Sequence, residues 1–130
     1  MFVSVTRIRL RTPLFLPAFL WQSYKLIAQA KKSAGNMGVR FRKTKGITFW
    51  TLTGWKDEAA VKIFRNAMPH RGAMSRLMFW CDEASFAHWD QAEGELPAWD
   101  AAAQKLLAQG VFSKLNYPSE NQKAGHISID

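Results

Sequence analysis

The 130-residue chain has one cysteine, Cys81. A lone thiol excludes an internal disulfide framework and any multi-cysteine zinc or iron–sulfur site. It suits a reducing compartment, and a cytoplasmic protein is expected. Acids are missing from the first 56 residues, where eleven lysines and arginines stand without one Asp or Glu. All ten acids lie from Asp57 onward. A basic half of this kind attracts anions such as phosphates, carboxylates, haem propionates or acidic lipid. No apolar run is long enough to span a bilayer. The stretch Arg7–Arg11, Pro13–Trp21 and Ala28-Gln29-Ala30 imitates a secretion signal. Phe2-Val3-Ser4-Val5 before it is strand-like, however, and Lys25 interrupts the approach to the cleavage-like site, so it is read as part of the fold. Glycine-rich phosphate loops, nucleophile elbows and dinucleotide fingerprints are also absent.

What is present is apolar and aromatic. Hydrophobic residues make up 48% of the chain, including six Trp and nine Phe, enough for one packed domain. Rings of that size need cover, in a core, an interface or a ligand pocket.

The periodicity predicts an α+β chain. Phe2–Leu10 is rich in β-branched residues and reads as a strand. Thr12-Pro13 opens a helix, Thr12 as cap and Pro13 at the first position. This helix runs to about Ser33 with Gln22, Lys25, Gln29 and Lys32 on its polar side and Leu16, Leu20 and Ile27 on another face. Met37–Lys45 alternates Val39 and Phe41 with Arg40 and Arg42. Ile47–Trp55 alternates Ile47, Phe49, Thr51 and Thr53 with Thr48, Trp50 and Leu52. Asp57-Glu58 starts a helix that Pro69 breaks, and His70–Cys81 continues as a second short helix. Glu83–Trp89 is a fourth strand, on which Ala84, Phe86 and His88 share a face. A helix follows over Pro97–Gln109, stopped at Gly110, and Val111–Tyr117 is expected to add a short edge strand. The order is ferredoxin-like, βαββαβ with an antiparallel sheet. The domain covers residues 1–117, the C-terminal helix 97–109 included, and 118–130 is a polar tail that docks or frays. Strand Ile47–Trp55 is apolar on both faces, so its Trp50 side needs cover, and a second subunit is the simplest.

The segment Phe49-Trp50-Thr51-Leu52-Thr53-Gly54-Trp55-Lys56-Asp57-Glu58, with Phe64-Arg65-Asn66, His70-Arg71, Met74, Trp80-Cys81-Asp82-Glu83-Ala84 and His88-Trp89, resembles the dimeric α/β-barrel superfamily. It is similar to DUF3291 and to antibiotic biosynthesis monooxygenase-like proteins and, more distantly, to spheroidene monooxygenase. The resemblance implies a homodimer whose two sheets pack into a barrel, with a pocket between sheet and helices in each subunit. It also implies a hydrophobic ligand, and either haem or no cofactor at all. Ser4 and Thr6 stand where some cofactor-free oxygenases carry a strand-one amide.

His70, Met74 and Cys81 fall at helical spacing on one face. An imidazole there suits a catalytic base or a haem ligand, while the same stripe also describes the core side of a helix. Trp50, Trp55, Trp80 and Trp89 are candidate walls for a flat ring system, against the plainer reading of core packing. Arg65 suits a carboxylate, and His88 joins the ligand-binding set. No metal spacing is found apart from His70 if haem binds. Cys81, followed by two acids, is not expected to be a nucleophile. Lys45-Gly46-Ile47-Thr48-Phe49-Trp50-Thr51-Leu52 follows an RNA-recognition signature at Lys45, Gly46 and Phe49. It lacks the aromatics at Ile47 and Leu52 on which bases stack, so nucleic acid is not an expected partner.

Overall fold

The computed structural model describes residues 1–67 and 70–129, the side chains of His70 and Arg71 excepted. Strand β1 (Phe2–Leu10) is followed by a 3-10 turn, Pro13–Phe15, and by α1 (Leu16–Lys32). Thr12 caps the turn, its hydroxyl accepting from the Leu14 amide. Strands β2 (Asn36–Lys43) and β3 (Thr48–Trp55) come next, then helices α2 (Glu58–Asn66) and α3 (His70–Trp80), then β4 (Cys81–Asp90). Asp57 accepts from the Ala60 amide at 2.9 Å and starts α2, a side-chain cap on an otherwise orphaned donor. Helix α4 (Trp99–Gln109), the two-residue strand β5 (Val111–Phe112) and α5 (Glu120–Ala124) complete the chain.

The five strands form one open antiparallel sheet in the order β2-β3-β1-β4-β5. This is the expected ferredoxin-like arrangement, with β1 central between β3 and β4. Gly35 opens β2 at φ +84°, and a Cβ on it would meet the Ala60 Cβ at 2.8 Å. Both the backbone angle and the close approach call for glycine there.

The period-two alternation divides the strands between two faces. On one lie α1, α2 and α3, with Phe19 of α1 against Phe49 at 4.7 Å between ring centroids and Val61 and Phe64 of α2 packed around Trp55. The other face carries Val3, Val5, Trp50, Leu52, Ala87 and Trp89. It is covered by the chain's own α4 through Ala102, Ala103 and Leu106, with Leu96, Trp99 and Ile127 at the margin. The cover that strand β3 demands is therefore supplied within the chain. Arg42, on the same face, lays its guanidinium 4.7 Å from the Trp99 ring centroid.

Two expectations are corrected in detail, and of the two alternatives for the C-terminal segment one is observed. Gln22 is buried on the inner side of α1, and Leu20 faces outward. Apolar and polar residues are interspersed around the first turns of the helix, and packing of Phe19 and Ala30 sets the rotation. The edge strand is shorter than expected because only Val111 and Phe112 pair with β4. The C-terminal segment docks. The Gln122 side chain accepts from the Ala84 amide and donates to the carbonyls of Ala84 and Ser113 at 3.0 and 2.9 Å. Ser119 donates to Glu83, whose carboxylate also takes the buried Arg7 guanidinium at 2.8 Å. Arg9 pairs bidentately with Asp82 alongside.

Candidate functional site

A cavity of about 410 Å³ lies between the sheet and helices α1–α3. Its floor is a block of short side chains in register. Ser4 of β1 stands opposite Thr53 of β3, and Thr6 opposite Thr51. Their small size leaves the space that larger side chains would fill, and they set four hydroxyls into an apolar surround. The walls are apolar: Val39 and Phe41 from β2, Phe19 and Leu26 from α1, Phe64 from α2 and Leu77 from α3. Ser113, Lys114 and Leu115 close one side, held by the Gln122 bonds. Met74 lines the cavity and is half exposed, which puts it at the opening.

Two nitrogen groups distinguish the interior. His88 packs between the Phe2 and Phe86 rings at 5.6 and 5.2 Å. Burial pushes its pKa below the ordinary histidine value, and the positive charge of Arg65 adds to the shift while Glu58 opposes it. The imidazole is thus neutral near pH 7 and able to accept a proton. Gln22 is the second. Arg76 donates to its Oε1 at 3.2 Å, which fixes the amide, and its buried Nε2 has no partner. Such an orphan donor is uncommon in an interior.

Of the residues singled out in the sequence, Arg65, Met74 and His88 come together in this cavity. Trp50 is buried on the opposite face beneath α4, so its ring is no wall of this space. Trp55 is on the helix side but behind Phe64, ring centroids 5.0 Å apart, and fills core. Trp80 ends α3 and stacks on Phe15, away from the cavity. The His70 side chain lies outside the described residues. Cys81 is fully buried, and burial, with the Asp82 carboxylate beside it, pushes its thiol up to about 12. Sequence reasoning missed Gln22, Thr51 and Thr53 as site residues. The available signal was the threonines at alternate positions 51 and 53, between Phe49 and Trp55 on the same face of β3. Among the described residues, no three His, Cys, Asp or Glu side chains converge as a metal site. Nor is any helix among them long and apolar enough to cross a membrane. Trp50 and Leu52, in the segment aligned with the RNA-binding signature, are covered by α4 and present no stacking surface.

With this geometry in place, the solved structures most informative for comparison share the architecture. A crystal structure of an antibiotic biosynthesis monooxygenase superposes with a TM-score of 0.64 at 11% identity, covering 72% of this chain and 100% of that one. The two chains share one fold. A conserved protein from Methanosarcina mazei Go1 superposes at 0.63 with 16% identity, over 69% of this chain and 91% of that one. PA3566 from Pseudomonas aeruginosa does so at 0.61 with 14% identity, over 71% and 94%. At these identities the likeness concerns the fold alone. No family model matches the sequence, and no curated protein matches it.

Proposed function

We propose that the chain is a monooxygenase-like protein that takes a hydrophobic, aromatic small molecule into the cavity between the sheet and α1–α3. One observation carries this reading: an apolar cavity of about 410 Å³ with a neutral imidazole and a hydroxyl floor inside it. Its size and its few convergent polar groups are those of a small-molecule site. The shared fold supports it.

In this reading the apolar walls bind and orient the ring system and exclude water, while Thr51 and Thr53 contact its polar edge. His88 accepts a proton from an acidic position on the ligand, leaving an electron-rich anion for dioxygen to attack. His70 is a second candidate base, since it begins α3 one turn before Met74. Arg65 balances the anion's charge. Haem is the alternative oxygen-activating group. His88 or His70 would supply its nitrogen ligand and Arg65 a contact to a propionate, and bound iron would then perform the oxygen chemistry. A homodimer belongs to the same reading, with an interface elsewhere than the face filled by α4.

The test uses 1-aminoanthracene as a neutral aromatic probe. Saturable fluorescence enhancement is expected, abolished by Thr51→Phe, which fills the floor. Equal binding by that variant would overturn the reading. Oxygen uptake with an anthrone-type phenol, lost in His88→Gln while probe binding persists, distinguishes an oxygenase from a non-catalytic carrier. A Soret band on adding haemin, lost in His70→Ala or His88→Ala, would select the haem route.

A further inference from the structure

The outward face of α1 is the opposite of what a solvated helix presents. Leu14 in the preceding turn is 85% exposed, and Leu20, Trp21 and Tyr24 are 44, 62 and 67% exposed. Pro17 and Ala18, also exposed, stand between them. The Trp21 and Tyr24 rings stack with centroids 5.9 Å apart, and the Lys25 ammonium lies 5.9 Å from the Trp21 ring. Along the same side, toward the C-terminal end, come the exposed Lys31 and Lys32. Neither the turn nor the helix holds an acid, and no acid occurs before Asp57. The surface is a patch of aliphatic and aromatic side chains to which the turn and α1 themselves add only basic charge.

We propose that this face of α1 docks on an anionic lipid bilayer, with the helix lying in the interface. Tryptophan and tyrosine place an apolar body and a polar tip at the headgroup level. A basic border beside an apolar helix face adds attraction to anionic lipid. The charge pattern also selects among occupants. A two-fold contact with a second copy sets the same patch against itself, and that patch offers no acid of the helix or the turn to pair Lys25, Lys31 or Lys32. A lipid surface supplies the missing negative charge. The inference stands on α1's outer face and holds whatever the cavity binds.

Cosedimentation of the full chain with phosphatidylcholine vesicles, with and without phosphatidylglycerol, tests it. Binding is expected with the anionic vesicles and should weaken as salt is added. Each lysine at the surface contributes about fivefold in partitioning, so Lys31→Gln/Lys32→Gln should lower it roughly 25-fold. Trp21→Ser/Tyr24→Ser should abolish it with unchanged circular dichroism. Absence of binding to anionic vesicles at low salt overturns the proposal, as does binding that these variants leave intact. A wild-type dimer that Trp21→Ser/Tyr24→Ser converts to monomer would assign the face to a second copy and likewise overturn it. The aminoanthracene titration is a separate readout, so failure here leaves the cavity reading standing.

Discussion

Two adjacent leucines on α4 decide whether this helix is the cover of the second sheet face. Leu106 is fully buried against the Trp50 and Leu52 layer, while Leu107 is 44% exposed. Truncating a buried leucine loses its transfer free energy and leaves a cavity, at about 3 kcal/mol within a usual span of roughly 2–5. With a urea dependence of about 1.5 kcal/mol per molar, Leu106→Ala should lower the unfolding midpoint by about 2 M. Leu107→Ala should change stability by no more than about 0.5 kcal/mol. Equilibrium urea unfolding followed by tryptophan fluorescence measures both, at two protein concentrations. A seated α4 predicts the large asymmetry at both concentrations, whether or not the chain pairs through another face. Equal small effects of the two substitutions would show that α4 does not cover Trp50 and would refute the assignment.

Glu83→Gln leaves the buried Arg7 guanidinium without its counter-charge and releases Ser119, so a loss of about 3–5 kcal/mol is expected in the same unfolding assay. His88 has a lowered pKa in the fold, so the unfolded chain binds the extra proton first. Stability should be full above about pH 6.5 and fall as pH drops through the window between the unfolded and folded values. A His88→Gln variant should lack that contribution, read from midpoints measured across the window. Cys81, buried and with its thiol pushed up to about 12, should resist a disulfide-exchange reagent at about pH 8 in the native protein and react once urea unfolds it. Rapid native-state labelling would contradict the burial.

Much of the architecture was legible from the chain. Alternation in Phe2–Leu10, Ile47–Trp55 and Glu83–Trp89 marked three strands and their faces, because one side-chain period fits only one backbone. The caps at Thr12 and Asp57 were visible as residue types beside the start of an apolar pattern. The placement of α4 was not. A doubly apolar β3 demands cover, but the same pattern serves a helix of the same chain or a sheet from another. The site was half legible. His88, Arg65 and Met74 were found as titratable or adaptable side chains on the correct faces. The tryptophans misled for a physical reason: large rings fill interiors, and a cavity opens where they are absent. Here the opening is marked by Ser4, Thr6, Thr51 and Thr53, whose smallness has no signal until register sets them side by side.

The position of β1 between β3 and β4 has a consequence for how the chain folds. Phe2 pairs with Trp55 on one side and Asp90 on the other, so the strand made first is the one that must wait longest for both neighbours. During synthesis one edge of its backbone has no native partner until β3 has emerged, and the second edge stays bare until β4 follows. Loop closure over such spans slows folding and leaves unpaired strands open to wrong partners. A chain arrested before Cys81 has the central strand with one side unsatisfied, and is the species that chaperones should hold.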